Sequence, residues 1–153
     1  VRDILFPKGK YHEDVFWSYQ AVGRAKKVSV SDHIGYYYLQ RGGSIMGEGY
    51  SLKRLDVIEG KVQRCAYMRK RFPALLPLAV KDLWFSCIYQ GQLAIRALDA
   101  AESKKVLAYL ENVLQTQPIQ SGQFHTKDRI WLVMTNHGLT ATCHLRNMLK
   151  IGL

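Results

Sequence analysis

The spacing of apolar positions changes once along this chain, near Ser51. Beyond it, Leu52, Leu55, Ile58, Val62, Cys65 and Phe72 recur at intervals of three, four and seven, which predicts an amphipathic helix with a narrow apolar seam. Pro73 and Pro77 end it. LAVKDLWFSCIYQGQLAIRAL, residues 78–98, is apolar almost all round and predicts a central, buried helix. Val106, Tyr109, Leu110, Val113 and Leu114 mark a third apolar face that stops before Pro118. After the loop QPIQSGQFHT, two shorter helices are expected over 129–135 and 139–149, separated by the stop signal Asn136-His137-Gly138.

Before Ser51 the pattern is of another kind. Pro7 and Gly9 make residues 1–12 a loop, Asp14 suits a helix cap, and 15–25 reads as a helix. KKVSVSD, residues 26–32, alternates apolar and polar as a short strand does, and 34–39, with Tyr36, Tyr37 and Tyr38, predicts a second strand. QRGGSIMGEG then places four glycines within eight residues, a loop and the natural boundary of the chain. The expected fold is mainly α: a small α/β piece over 1–50, followed by a helical bundle over 51–153. Two strands and one helix are too little for a stable sheet, so either preceding sequence or the helical part must complete it.

Composition narrows the partners. With 153 residues and 48% hydrophobic content, the chain has enough apolar material for one core. Its net charge of +10, from 22 basic and 12 acidic residues, attracts something anionic, whether nucleic acid, phosphorylated substrate or lipid headgroups. Arg54, Lys61, Arg64 and Arg71 fall on one side of the first long helix, opposite the apolar seam. That stripe reads as a solvated face or as an attraction to anionic lipid. Cys65, Cys87 and Cys143 lie far apart in apolar segments, as buried free thiols in a reducing compartment do. The expected location is therefore cytoplasmic, with peripheral association with the inner face of a membrane. No apolar run reaches the roughly 20 residues of a membrane span, and VRDILFPKGK has no signal-peptide core. The chain also lacks an initiator Met, as an excised piece of something longer would. His137 and His144, with Cys143, lack the spacing of a metal set.

The candidate chemistry sits in KGKYHEDVFWSYQ, where Glu13 and Asp14 stand between a loop and a helix. Asp14 there reads first as a cap. A carboxylate held ionised by the positive end of the helix dipole can also act as a general base towards a hydroxyl, and the two roles are compatible.

FPKGKYHED, an apolar helix, a lone strand and YYYLQRGGSIM, in that order, resemble the C-terminal half of the catalytic domain of family 2 glycosyltransferases, particularly bacterial polysaccharide-assembling members. The resemblance covers residues 1 to about 60; beyond Arg71 it is one of composition alone. It implies a GT-A fold and an inverting sugar transfer in cell-surface polysaccharide synthesis, with Asp14 as the catalytic base. Glu13 would orient the helix start or an acceptor hydroxyl, and Trp17, with Phe16, matches the aromatics on the acceptor side. Arg41 and Ser44 match a mobile loop over the donor diphosphate. Where many relatives carry Arg, this chain has Leu39, so Arg41 would act alone.

No D-x-D occurs anywhere in the chain. The resemblance therefore implies the C-terminal part of a transferase whose nucleotide-binding half lies upstream. Its nucleotide-sugar donor and its divalent metal, magnesium or manganese, would be held there. The acceptor would be a glycan or a lipid-linked sugar, nucleic acid would play no part, and the fragment alone would be inactive. A basic helical module that binds nucleic acid, a membrane surface or a partner protein is the alternative; no helix-turn-helix or RNA-binding signature supports it.

Overall fold

In the computed structural model the residues described are 3–37, 39 and 49–152. The long apolar run forms a helix, α3 (Leu76–Ala97), that is buried on nearly every side. Pro77 stands in its first turn, where a missing N–H costs nothing. Leu83, Cys87, Ile88 and Ala94 are sealed from solvent. Around this axis pack α2 (Asp56–Arg71), α4 (Ala100–Thr116) and α6 (Leu139–Met148), while α5 (Thr126–His137) leans on α6 and α1 (Glu13–Arg24) lies on α2. Short 3₁₀ turns at Leu52–Leu55, Pro73–Leu75 and Ser121–Gln123 join these elements.

Each packed helix supplies the face its periodicity marks. Ile58 and Cys65 come from α2, Val106, Leu110, Val113 and Leu114 from α4, and Leu139 and Cys143 from α6. Asp99 starts α4, its carboxylate accepting the Glu102 N–H at 2.8 Å, which satisfies one of the helix's orphan donors. Two glycines set how closely helices approach. A Cβ on Gly91 of α3 would lie 2.7 Å from the Cys143 Sγ, and one on Gly60 of α2 would lie 3.1 Å from both Val15 and Phe16 of α1. Buried Phe16 thus fits over α2 where a side chain is missing.

The mainly α expectation holds, and the α/β part of it is not shown. No strand occurs among the described residues: residues 26–32 form none, and the strand expected over 34–39 includes residue 38, which lies outside the described residues. A strand needs a neighbour to take its backbone hydrogen bonds, and none of the described residues pairs with this segment. Val28, Val30, Ile34, Tyr36, Tyr37 and Leu39 are all exposed, Val30 at 95%. The alternation in KVSVS therefore marks a segment able to line a sheet that these residues do not provide.

Among the described residues no helix is long and apolar enough to cross a membrane. All three cysteines are free and buried.

Candidate functional site

The Glu13–Asp14 pair is positioned from below by α2. Gly9 takes a left-handed conformation (φ 76°) and turns the chain back. Lys10 then places its ammonium between two α2 carboxylates, donating to Asp56 Oδ1 at 2.9 Å and Glu59 Oε2 at 2.6 Å. The Tyr11 N–H donates to Asp56 Oδ2 at 3.0 Å. Asp56, in the first turn of α2, thus uses both oxygens to hold the loop that delivers α1. Burial pushes its carboxyl up, but the Lys10 ammonium and the Tyr11 amide more than offset this and leave it below the usual carboxylate range. Lys10 is shifted upward by its hydrogen bonds to Glu59 and Asp56.

His12 completes the turn in the left-handed region (φ 56°, ψ 44°) and is the N-cap of α1. A non-glycine residue held there stores backbone strain on the order of 1 kcal/mol. Its side chain makes no cap bond, and the turn closes instead through the Val15 N–H to the His12 carbonyl at 3.0 Å. This corrects the expectation that Asp14 caps the helix. Asp14 lies within the first turn, one residue after Glu13. Both are exposed, and no hydrogen bond or ion pair engages the Asp14 carboxylate among the described residues. The positive end of the α1 dipole therefore has two solvent-facing carboxylates beside it. Both carboxylates are open to a group approaching from solvent.

Trp17, one turn on, is fixed by the N-terminal loop. Its Nε1 donates to the Ile4 carbonyl at 2.9 Å, and its ring stacks on Phe6 at 5.1 Å between centroids. Ser18 and Val22 follow Asp14 at i+4 and i+8, on the same side of α1. There they line a groove of about 500 Å³ with Met68, Leu75 and Leu78. Arg41 and Ser44 lie outside the described residues.

The basic stripe on α2 is also corrected. Arg54 is buried. Lys61 pairs with Asp82 of α3 at 2.8 Å and donates to the Ser86 hydroxyl, while Arg64 donates to the same Asp82 carboxylate. Of the four, Arg71 alone is exposed. One acidic residue on α3 has drawn the middle of the stripe inward. Burial raises the Asp82 carboxyl, and Lys61 and Arg64 together hold it below its ordinary value.

The remaining chemistry is inert. Burial pushes the Cys87 and Cys143 thiols up to about 12, so both stay protonated at neutral pH and neither is a nucleophile or a thiolate ligand. The Cys143 thiol points to the Ile88 carbonyl at 3.4 Å. Among the described residues no group of three or more His, Cys, Asp or Glu side chains could hold a metal ion. The divalent metal that the resemblance implies therefore finds no ligand set there.

Sequence reasoning missed Lys10, Asp56 and Glu59, which fix the loop before the pair. Their only local signal is two carboxylates three residues apart at a helix start; nothing near them points to Lys10. No family model, curated protein or solved structure matches this chain.

Proposed function

We propose that this chain is the C-terminal part of an inverting glycosyltransferase of the family 2 type, with Asp14 as its general base. One observation carries the reading: an exposed Asp14 carboxylate at the positive end of α1, with no side-chain partner among the described residues, on a helix delivered by a loop that two α2 carboxylates hold through Lys10. The order of FPKGKYHED and YYYLQRGGSIM supports it from the sequence side. The exposed segment 25–37 fits a chain whose sheet partners belong to the nucleotide-binding half.

In this mechanism an acceptor hydroxyl approaches Asp14, which takes its proton. The oxygen then attacks the anomeric carbon from the face opposite the leaving diphosphate. The old C–O bond breaks with its electron pair on the diphosphate, and the configuration inverts. Glu13, beside Asp14, orients the acceptor through a second hydrogen bond. The catalysis lies in positioning the acceptor hydroxyl as much as in taking its proton.

The coding sequence upstream of Val1 and the activity of its product test this reading. A D-x-D after an early strand is expected there, together with sugar transfer from a nucleotide donor by the full-length protein. The isolated chain should neither hydrolyse nor transfer from nucleotide sugars, with or without manganese. An upstream region without a nucleotide-binding half, or micromolar binding of a nucleoside diphosphate sugar to this chain alone, overturns it.

A further inference from the structure

Residues 69–81 read RKRFPALLPLAVK: three cations, nine residues without a polar side chain, then Lys81. They form the corner between α2 and α3, built on the Pro73–Leu75 turn. A corner so apolar belongs inside a protein, yet this one is open. Pro73 and Ala74 are exposed, and Leu75 and Leu78 keep 47% and 54% of their surface in solvent. Facing them, α1 presents Val22 at 61% exposure. Between the two runs the groove lined by Ser18, Val22, Met68, Leu75 and Leu78, and a second hollow of about 320 Å³ reaches on to Gly23, Ala25 and Phe72.

Cations collect at that far end. Lys26 and Lys27 follow Ala25, and Lys70 and Arg71 precede Phe72; all four are exposed. None of the four has a hydrogen bond or ion pair among the described residues. Their neighbours are engaged: Arg24 pairs with Asp3, Arg69 donates to the Gln117 side chain at 2.9 Å, and Lys61 and Arg64 share Asp82. The Asp3 and Asp82 carboxylates are thus in use.

We propose that this corner docks on an anionic lipid bilayer. Leu75, Leu78 and Val22 enter the boundary between headgroups and acyl chains, and Lys26, Lys27, Lys70 and Arg71 meet the anionic headgroups. Exposed aliphatic side chains bordered by unpaired cations are the chemistry of interfacial binding. A polyanion such as nucleic acid matches the cations and leaves the leucines in water. Binding is interfacial because no helix among the described residues can cross a membrane. The inference does not rest on the transferase reading, since the surface includes neither Glu13 nor Asp14.

Co-sedimentation with vesicles tests it, using phosphatidylcholine alone and phosphatidylcholine mixed with phosphatidylserine. The chain should partition onto the mixed vesicles, weakly onto phosphatidylcholine, and less as salt rises. Lys70→Glu with Arg71→Glu should lower the partition coefficient roughly tenfold or more at low salt. Leu75→Ser with Leu78→Ser should lower it at every salt concentration. Lys104→Glu with Lys105→Glu, on the exposed side of α4, should lower it far less than the reversal at Lys70 and Arg71. All six positions are exposed, and an unchanged helical circular dichroism spectrum checks each fold. Absence of binding to the mixed vesicles overturns the proposal. So does an equal loss from the α4 pair, or binding that ignores the leucine pair. Self-association abolished by Leu75→Ser with Leu78→Ser, without vesicle binding, would assign the surface to a second copy of the chain instead.

Discussion

Asp56 accepts the backbone N–H of Tyr11 at 3.0 Å across 45 positions of sequence, and this bond ties the start of α1 to the start of α2. The same carboxylate receives Lys10. Asp56→Ala removes the acceptor for a backbone donor and half the cradle of an ammonium. A loss of about 1–3 kcal/mol is expected in chemical denaturation. Asp56→Asn keeps an acceptor for one of the two donors and should cost less. Equal stability of the alanine variant and the parent chain would show that the clamp holds nothing.

The pH dependence follows from the two depressed carboxylates. Asp56 and Asp82 both titrate below the ordinary aspartate value of 3.8 in the folded chain. Between their folded and unfolded values the unfolded chain binds more protons, so stability rises with pH there. Their contribution is present in full above the unfolded value and is lost as pH falls through the lower folded values. Denaturation midpoints should therefore be flat above about pH 5 and fall below it. Asp82→Asn should flatten part of that acid fall. An unchanged acid limb in the variant would mean that Lys61 and Arg64 do not stabilise the charged form.

Glycine at position 60 is expected to be better than alanine, against the usual helix rule. Inside an exposed helix, Gly→Ala gains up to about 1 kcal/mol. Here the added Cβ would stand 3.1 Å from Phe16 and Val15, and Phe16 is buried with little room to yield. Gly60→Ala should lower stability by about 1–3 kcal/mol through overpacking, measured by urea denaturation. A stabilised variant would show that α1 shifts freely on α2.

The helical core was legible because its signal is local. A helix buried on all sides needs only a long apolar run, and residues 78–98 supply one; the faces of α2 and α4 are likewise written at three- and four-residue spacing. Contacts between distant positions were not legible. Lys10 reaches Asp56 and Glu59 across 46 and 49 positions, and no periodicity encodes that choice. The basic stripe shows the same limit, since spacing put Arg54, Lys61, Arg64 and Arg71 on one side of the first long helix and could not say that Asp82 of α3 would pair with Lys61 and Arg64. At α1 the helix itself was found while its cap was misplaced. Asp is a common cap, and His12 in a left-handed conformation is a rare one. The strands are not shown for a different reason: alternation reports a side-chain pattern, and a sheet also requires a hydrogen-bonding neighbour.

Gln92 carries the buried polar network at the end of α6. It is fully buried; its Oε1 accepts from Arg146 Nε at 3.1 Å, and its Nε2 donates to the Ile151 carbonyl at 2.9 Å and to Asn147 Oδ1 at 3.2 Å. The Arg146 guanidinium is itself buried over the Trp131 ring, 4.8 Å from its centroid. Gln92→Leu conserves volume and strips a buried cation of its acceptor. A loss of about 2–3 kcal/mol is expected, since hydrogen bonds to charged groups exceed neutral ones. Gln92→Glu restores the acceptor and adds a counter-charge, so it should recover part of the loss. If the leucine variant is as stable as the parent, water or another group must satisfy Arg146.

Asp14 separates chemistry from structure most cleanly, because no hydrogen bond or ion pair engages its side chain among the described residues. A capping aspartate would cost about 1 kcal/mol on replacement by alanine and little on replacement by asparagine, which accepts the same bonds. In the first turn of α1, outside the cap position, Asp14 contributes only its charge against the helix dipole. Asp14→Asn and Asp14→Ala should therefore cost the same small amount, about 0.3–1 kcal/mol at low salt, and less as salt rises. On the proposed transferase reading, both should lower transfer by the full-length protein by roughly two to four orders of magnitude, the range that positioned general-base catalysis contributes. Donor affinity should barely move, because that reading has the diphosphate held upstream. Glu13→Gln, which can still hydrogen-bond an acceptor hydroxyl, should cost less activity than Asp14→Asn. Rates near the parent's for the asparagine variant would remove the base from Asp14, and a stability loss confined to the alanine variant would return the residue to capping.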